Sequence, residues 1–128
     1  VLRALLIRHP HIDKILAGRK KWEIRGSRTA VRETIALVAS GSGTVIGVCD
    51  LVACLGPLTA TEFRKNANKA GMRPSEAMVR PYRQTYGWVL EKPRTLDKPV
   101  PYKHPSGAII WVRLDPKVER QILKQLAV

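Results

Sequence analysis

The segment ETIALVAS, SGSG, TVIGVCDLVACL, covering residues 33 to 55, restricts the fold more than any other part of the chain. Its two halves predict strands over 33–40 and 44–55, rich in Val, Ile and Leu at odd and even positions alike, so neither face of either strand suits water. The glycines of SGSG allow a tight hairpin between them. SGSG lacks the lysine and the following helix of a phosphate-binding loop, and it reads as a turn. A sheet with this centre must be covered on both sides, which points to a curled or barrel-like sheet with packed helices. Cys49 and Cys54 lie in the second strand. Five residues of strand hold their α carbons roughly 16 Å apart at about 3.3 Å per residue, beyond the about 7 Å that a disulfide spans. They read as free buried thiols, which suits a reducing cytoplasm.

The rest of the chain supplies further strands and short helices. Residues 2–7 predict a short apolar strand. Pro10 suits a first helical turn, Ile12, Ile15 and Leu16 recur at helical spacing, and Gly18 stops the helix, giving residues 10–17. In KKWEIRG the residues alternate, with Trp22 and Ile24 on one side and Lys21, Glu23 and Arg25 on the other, as in a half-buried strand. Thr59 and Glu62 form a capping-box pattern and Leu58 and Phe63 a hydrophobic staple, so a helix is expected over 60–70, before Gly71. PSEAMV begins a short helix that Pro81 stops. YGWVLEKPRTL reads as a strand, DKPVPYKHPSG as a loop or edge segment, and AIIWVRL as a strand. Asp115 caps a last helix to residue 127, with Pro116 in its first turn and Val118, Ile122, Leu123 and Leu126 as its apolar stripe. This order predicts a single α+β domain over residues 1–128.

No apolar run reaches the roughly 18–20 residues of a membrane-spanning helix. Arg3 and Arg8 interrupt the opening VLRALLIRHP and no small-residue cleavage site follows, so neither a span nor an export signal is expected. The formal charge is +13. It is unevenly spread, for residues 33–63 contain no Lys or Arg while both flanking segments are strongly basic. Such segregation predicts a basic face and a polyanionic partner, nucleic acid before membrane.

The densest charge cluster is GRKKWEIRG, residues 18–26, which places Glu23 among Lys20, Lys21 and Arg25. In a regular strand Lys20 and Glu23 point to opposite faces, because their separation is odd. They share a cleft only if Lys20 lies in the turn after Gly18 or at a bulge. Given that geometry, a carboxylate between two cations orients both and can accept a hydrogen bond from a base amino group.

The segment resembles the signature of the ASCH domain family, roughly Gly-x-Lys-x-x-Glu-x-Arg, through Gly18, Lys20, Glu23 and Arg25. The helix ending at Gly18, the strand VIGVCDLV, the turn GPLT leading into a helix, and the late PVPYKHPSGAIIWV follow the family's order. The resemblance implies a PUA-like pseudo-β-barrel of about five to six strands flanked by short helices, with a cleft suited to RNA or a modified nucleoside. On that basis Lys20, Glu23 and Arg25 form the cleft, and Arg8, Arg19, Lys21 and Arg28 steer phosphates. Trp88, Tyr102 and His104 are further contact candidates, and Tyr82, Tyr86, Trp88 and Tyr102 have the ring faces on which unpaired bases stack. Trp22 and Trp111 read as core.

Two catalytic alternatives stand beside binding. A metal-independent ribonuclease requires a base, an acid and cationic stabilisation, for which Lys20, Glu23, Arg25, Tyr102 and His104 are candidates; His104 reads first as a loop histidine in a proline-rich turn. The family's amidohydrolases acting on 4-acetylcytidine pair the lysine with a threonine three positions later and a distant glutamate. Here Glu23 stands at the threonine position, and a carboxylate does not supply a hydroxyl nucleophile; Glu62 and Glu76 are the candidates for the distant acid. His9, His11 and the cysteines lack metal-ligand spacing, and no metal or cofactor is expected.

Overall fold

In the computed structural model, which describes residues 2–127, the hairpin of residues 33–55 forms the middle of the sheet. β3 (Thr34–Ala39) and β4 (Thr44–Leu55) pair antiparallel. Around them lie β1 (Arg3–Ile7), β2 (Trp22–Arg25), β5 (Tyr86–Pro101) and β6 (Trp111–Arg113), in the spatial order β2-β5-β4-β3-β1-β6. Only β1 and β3 pair in parallel; the other neighbours are antiparallel. The helices are α1 (His11–Leu16), α2 (Ala60–Lys65) and α3 (Pro116–Leu126), with a 3-10 turn at Pro74–Glu76. None of the described helices is long and apolar enough to cross a membrane.

Bulges curl this sheet. Register shifts fall between Leu37 and Val38, Val45 and Gly47, Val48 and Asp50, and Leu51 and Ala53, and each adds bend and twist to its strand. Three strands separate β5 from β6 in the sheet, yet Trp88 of β5 stacks on Trp111 of β6 with centroids 5.9 Å apart. The result is a half-barrel covered twice. Leu5 and Ile7 of β1 point inward with Ile35, Leu37, Cys49, Leu51 and Trp88, and Ile12 and Ile15 of α1 close over them. Ala4 and Leu6 face the opposite side with Val38, Val45 and Val48, where Val118 and Ile122 of α3 cover them. This two-sided burial is what the apolar strands demanded.

Three boundaries differ from the sequence expectation. α2 ends at Lys65 rather than residue 70; the chain continues in tighter turns, with Ala67 N donating to Arg64 O and Ala70 N to Ala67 O. Asn66 and Asn68, whose side chains compete for backbone partners, favour that change. β5 continues to Pro101, so residues 97–101 of the proline-rich segment are strand, with Val100 opposite Val45, and residues 102–107 are loop. Pro93 and Pro99 fall where the β4–β5 register shifts, between Glu91 and Arg94 and between Thr95 and Val100, so neither displaces a paired ladder residue, and Pro101 ends the strand. The last strand begins at Trp111 rather than Ala108, and Ile109 is 79% exposed in the preceding loop.

Both cysteines are free, Cys49 buried and Cys54 half-buried. Burial, with Asp50 beside it, pushes the Cys49 thiol up to about 12, which leaves almost no thiolate near neutral pH. Thiol labelling at pH 8 is expected to modify Cys49 only after unfolding, as read by peptide mass; rapid labelling of native Cys49 would show that the barrel interior opens.

Candidate functional site

Gly18, with φ of +79°, ends α1 in the left-handed conformation that glycine adopts without strain. The chain then folds back so that Arg19 N and Lys20 N both donate to Lys14 O, at 2.9 and 3.1 Å. Lys20 therefore precedes β2 and escapes its pleat. Its ammonium donates to Ala70 O at 2.9 Å and lies 3.7 Å from Glu23 Oε1, so Lys20 and Glu23 do share a cleft. Gly71 makes room for this packing, since a Cβ there would sit 3.1 Å from Lys20 Cβ.

Glu23 and Lys20 are 7% and 4% exposed. Arg25 Nε donates to Glu23 Oε2 at 2.9 Å, and Arg25 Nη2 donates to Leu6 O at 2.8 Å, joining β2 at one edge of the sheet to β1 across the curl. Below the guanidinium lies the Trp88 ring, 5.6 Å away, whose indole N–H donates to Ser27 O at 2.9 Å. One carboxylate oxygen is thus held by Arg25. The other sits beyond hydrogen-bond distance of Lys20, with acceptor capacity left over. Burial lowers the Lys20 pKa, an effect that Glu23 opposes and Lys14 reinforces.

These side chains line a cavity of about 440 Å³ together with Arg8, His11 and Tyr82 and the apolar Leu6, Ile24, Phe63, Met72 and Ile109. Its size suits a small-molecule or single-nucleotide guest. Partial burial, then Lys20, lowers the His11 pKa below its ordinary 6.5, which favours the neutral imidazole. Tyr82 is 44% exposed and its ring packs against Gly26, where a Cβ would come within 2.9 Å of it.

Of the residues expected at the cleft, Lys20, Glu23, Arg25 and Arg8 meet there. Trp88 does not serve as a stacking surface: it is 1% exposed, stacked on Trp111 in the half-barrel interior. Tyr86 is buried as well, with Arg28 over its ring at 5.2 Å. Tyr102 and His104 are away from the cavity lining and bond each other, Tyr102 Oη to His104 Nδ1 at 2.9 Å, with His104 Nε2 at 2.9 Å from Ala108 O. Tyr102 borders a separate groove beside Lys117 and Val118 of α3. Lys21 lines a second cavity with Trp22 and Lys69, and Arg19 is exposed outside the first. Glu62 and Glu76 act as caps, accepting from Thr59 N and Arg73 N. His11 and Ile109 belong to the cavity without having been singled out as contacts. His11 opens the helix that Gly18 closes, and that shared helix was the available signal.

A curled mixed sheet, covered by short helices and carrying a basic cavity at one edge, makes the chain an α+β half-barrel domain. Residues 5–100 match the ASCH domain family, and the chain belongs to it. Its fold is similar to the crystal structure of ASCH from Zymomonas mobilis, with a TM-score of 0.71 and 14% identity over 95% of this chain and 93% of that one. Two mutant forms of the same Zymomonas mobilis protein give TM-scores of 0.69 and 0.70, at 12% and 14% identity, again over 95% of this chain and over 96% and 94% of theirs. At such identities the likeness is one of fold. A search of the curated proteins finds no match.

Proposed function

We propose that this chain binds single-stranded RNA or a modified nucleoside by taking one unpaired base into the cavity around Lys20, Glu23 and Arg25. The observation that carries this reading is the free Oε1 of Glu23, an acceptor held between two cations in a nearly buried site. A base with an exocyclic amino group, cytosine or adenine, supplies the donor that this oxygen lacks. Lys20 and Arg25 add donors for ring nitrogens and carbonyls. Tyr82 offers an aromatic face at the cavity wall, and Arg8 a cation for a phosphate. The net charge of +13 supplies attraction at a distance.

Fluorescence anisotropy with short single-stranded RNAs tests this. Oligomers of cytidine or adenosine should bind about ten-fold or more tighter than oligouridine, within the roughly 1–3 kcal/mol of one good polar base contact, and affinity should fall steeply with salt. Tyr82→Ala should weaken binding by a comparable roughly 1–3 kcal/mol, the worth of one stacked base. Preference for uridine, or no effect of Tyr82→Ala, would remove the base from this cavity.

One observation favours a second reading, a metal-independent ribonuclease: His11 lines the cavity with its pKa lowered, which equips a neutral imidazole to take the proton of a 2′-hydroxyl. Labelled RNA incubated in chelator should then be cleaved by the wild-type chain and not by His11→Ala. RNA left intact while bound returns the assignment to binding alone.

A further inference from the structure

Among the described residues Lys20 is the one buried lysine, and its environment is unusual for an ammonium. Its nearest anion, Glu23, is already held by Arg25 at 2.9 Å and stands 3.7 Å from Nζ. The one hydrogen bond that Lys20 Nζ makes among the described residues goes to Ala70 O at 2.9 Å, and the next carbonyl, Gly71 O, is taken by Lys14 Nζ at 3.0 Å. Arg8 and Arg25 line the same cavity, so cations outnumber the single carboxylate. A lysine that is desolvated and shares its cavity with other cations gives up its proton more readily than an exposed one, and the amine so formed is the nucleophile. Ile24, Phe63 and Met72 form the apolar wall of the cavity it lines, which limits the water available to reverse an adduct.

We propose that Lys20 captures aldehydes carried on nucleic acid, forming an imine with a formylated base or with the opened sugar of an abasic site that enters the cavity. The proposal rests on the nucleic-acid reading of this cavity. The Lys20 ammonium first gives a proton to solvent; the Nζ lone pair then adds to the carbonyl carbon, and a proton moves from nitrogen to the former carbonyl oxygen to give a carbinolamine. Glu23 takes a proton from the nitrogen of that adduct and returns it to the new hydroxyl, which leaves as water, and the C=N bond remains. No oxidant or reductant takes part. The step reverses on hydrolysis, and a hydride donor added in the laboratory fixes it as a secondary amine.

The experiment uses the full chain at pH 7.5 with cyanoborohydride and two single-stranded probes, one carrying 5-formylcytidine and one an abasic site. Intact mass and peptide mapping should find one adduct on Lys20 for at least one probe, and the probe that reacts identifies the aldehyde source. Lys20→Arg, checked for folding by thermal melting, should lower adduct yield at least ten-fold. Binding of the unmodified oligonucleotide is measured in parallel. Binding without any adduct, or adducts spread evenly over the exposed lysines, overturns capture and leaves the binding reading standing. If the unmodified oligonucleotide does not bind, the binding reading fails, and butyraldehyde with cyanoborohydride then decides the chemistry of Lys20 alone. Modification of Lys20 ahead of the other lysines supports its role as an amine nucleophile, and uniform modification ends it.

Discussion

Glu23→Ala is expected to destabilise the fold by about 3–5 kcal/mol, the usual cost of stripping the partner from buried charges, and to abolish base selectivity. The variant leaves Lys20 almost wholly buried with only Ala70 O at hydrogen-bond distance. It also removes the carboxylate that orients Arg25. Arg25 retains Leu6 O and the face of Trp88, which limits the loss on that side. Glu23→Gln keeps an oxygen for Arg25 but not the charge, so its cost should be smaller. Urea unfolding of the three proteins checks this order. A Glu23→Ala variant within about 1 kcal/mol of wild type would mean that the cluster is solvated like a surface ion pair.

Trp88→Ala carries the second large effect, a loss of about 3–5 kcal/mol, as for other buried tryptophans truncated to alanine. The indole joins three parts of the molecule: it stacks on Trp111, lies under Arg25 and donates to Ser27 O. Its removal opens the half-barrel where β5 approaches β6 and takes the floor from under the Arg25 guanidinium. Stability and RNA affinity should therefore fall together. Denaturant midpoints combined with anisotropy make the check, and a variant that loses affinity at unchanged stability would return Trp88 to the role of an exposed stacking residue.

Much of the architecture was legible because its signals are local. Thr59 and Glu62 mark the start of α2 through a cap that forms within four residues, and the structure contains that cap. The end of the same helix was not legible, since helical spacing continues past Lys65 while the asparagines turn the backbone. Pro99 and Pro101 marked DKPVPYKHPSG as a loop or edge segment. The structure seats Pro99 in a register shift of the β4–β5 pairing and Pro101 at the strand's end, and where those shifts fall is decided by the partner strand. At the cleft, Tyr82, Tyr86, Trp88 and Tyr102 were equivalent aromatic residues among basic ones. Tyr82 alone lines the cavity, while Tyr86 and Trp88 face the interior and Tyr102 packs toward α3.

From the sequence by itself came the doubly covered sheet, the segregated positive charge, and the lysine, glutamate and arginine of GRKKWEIRG as the candidate chemistry. These follow from side-chain period and composition, which act over a few residues. Only the tertiary structure decided that Lys20 leaves the turn after Gly18 on the side of Glu23, that Arg25 spans from β2 to Leu6 O, and that Trp88 lies beneath the site rather than in it. Those outcomes depend on sheet curl, the sum of bulges spread over three strands, and no local pattern encodes that sum.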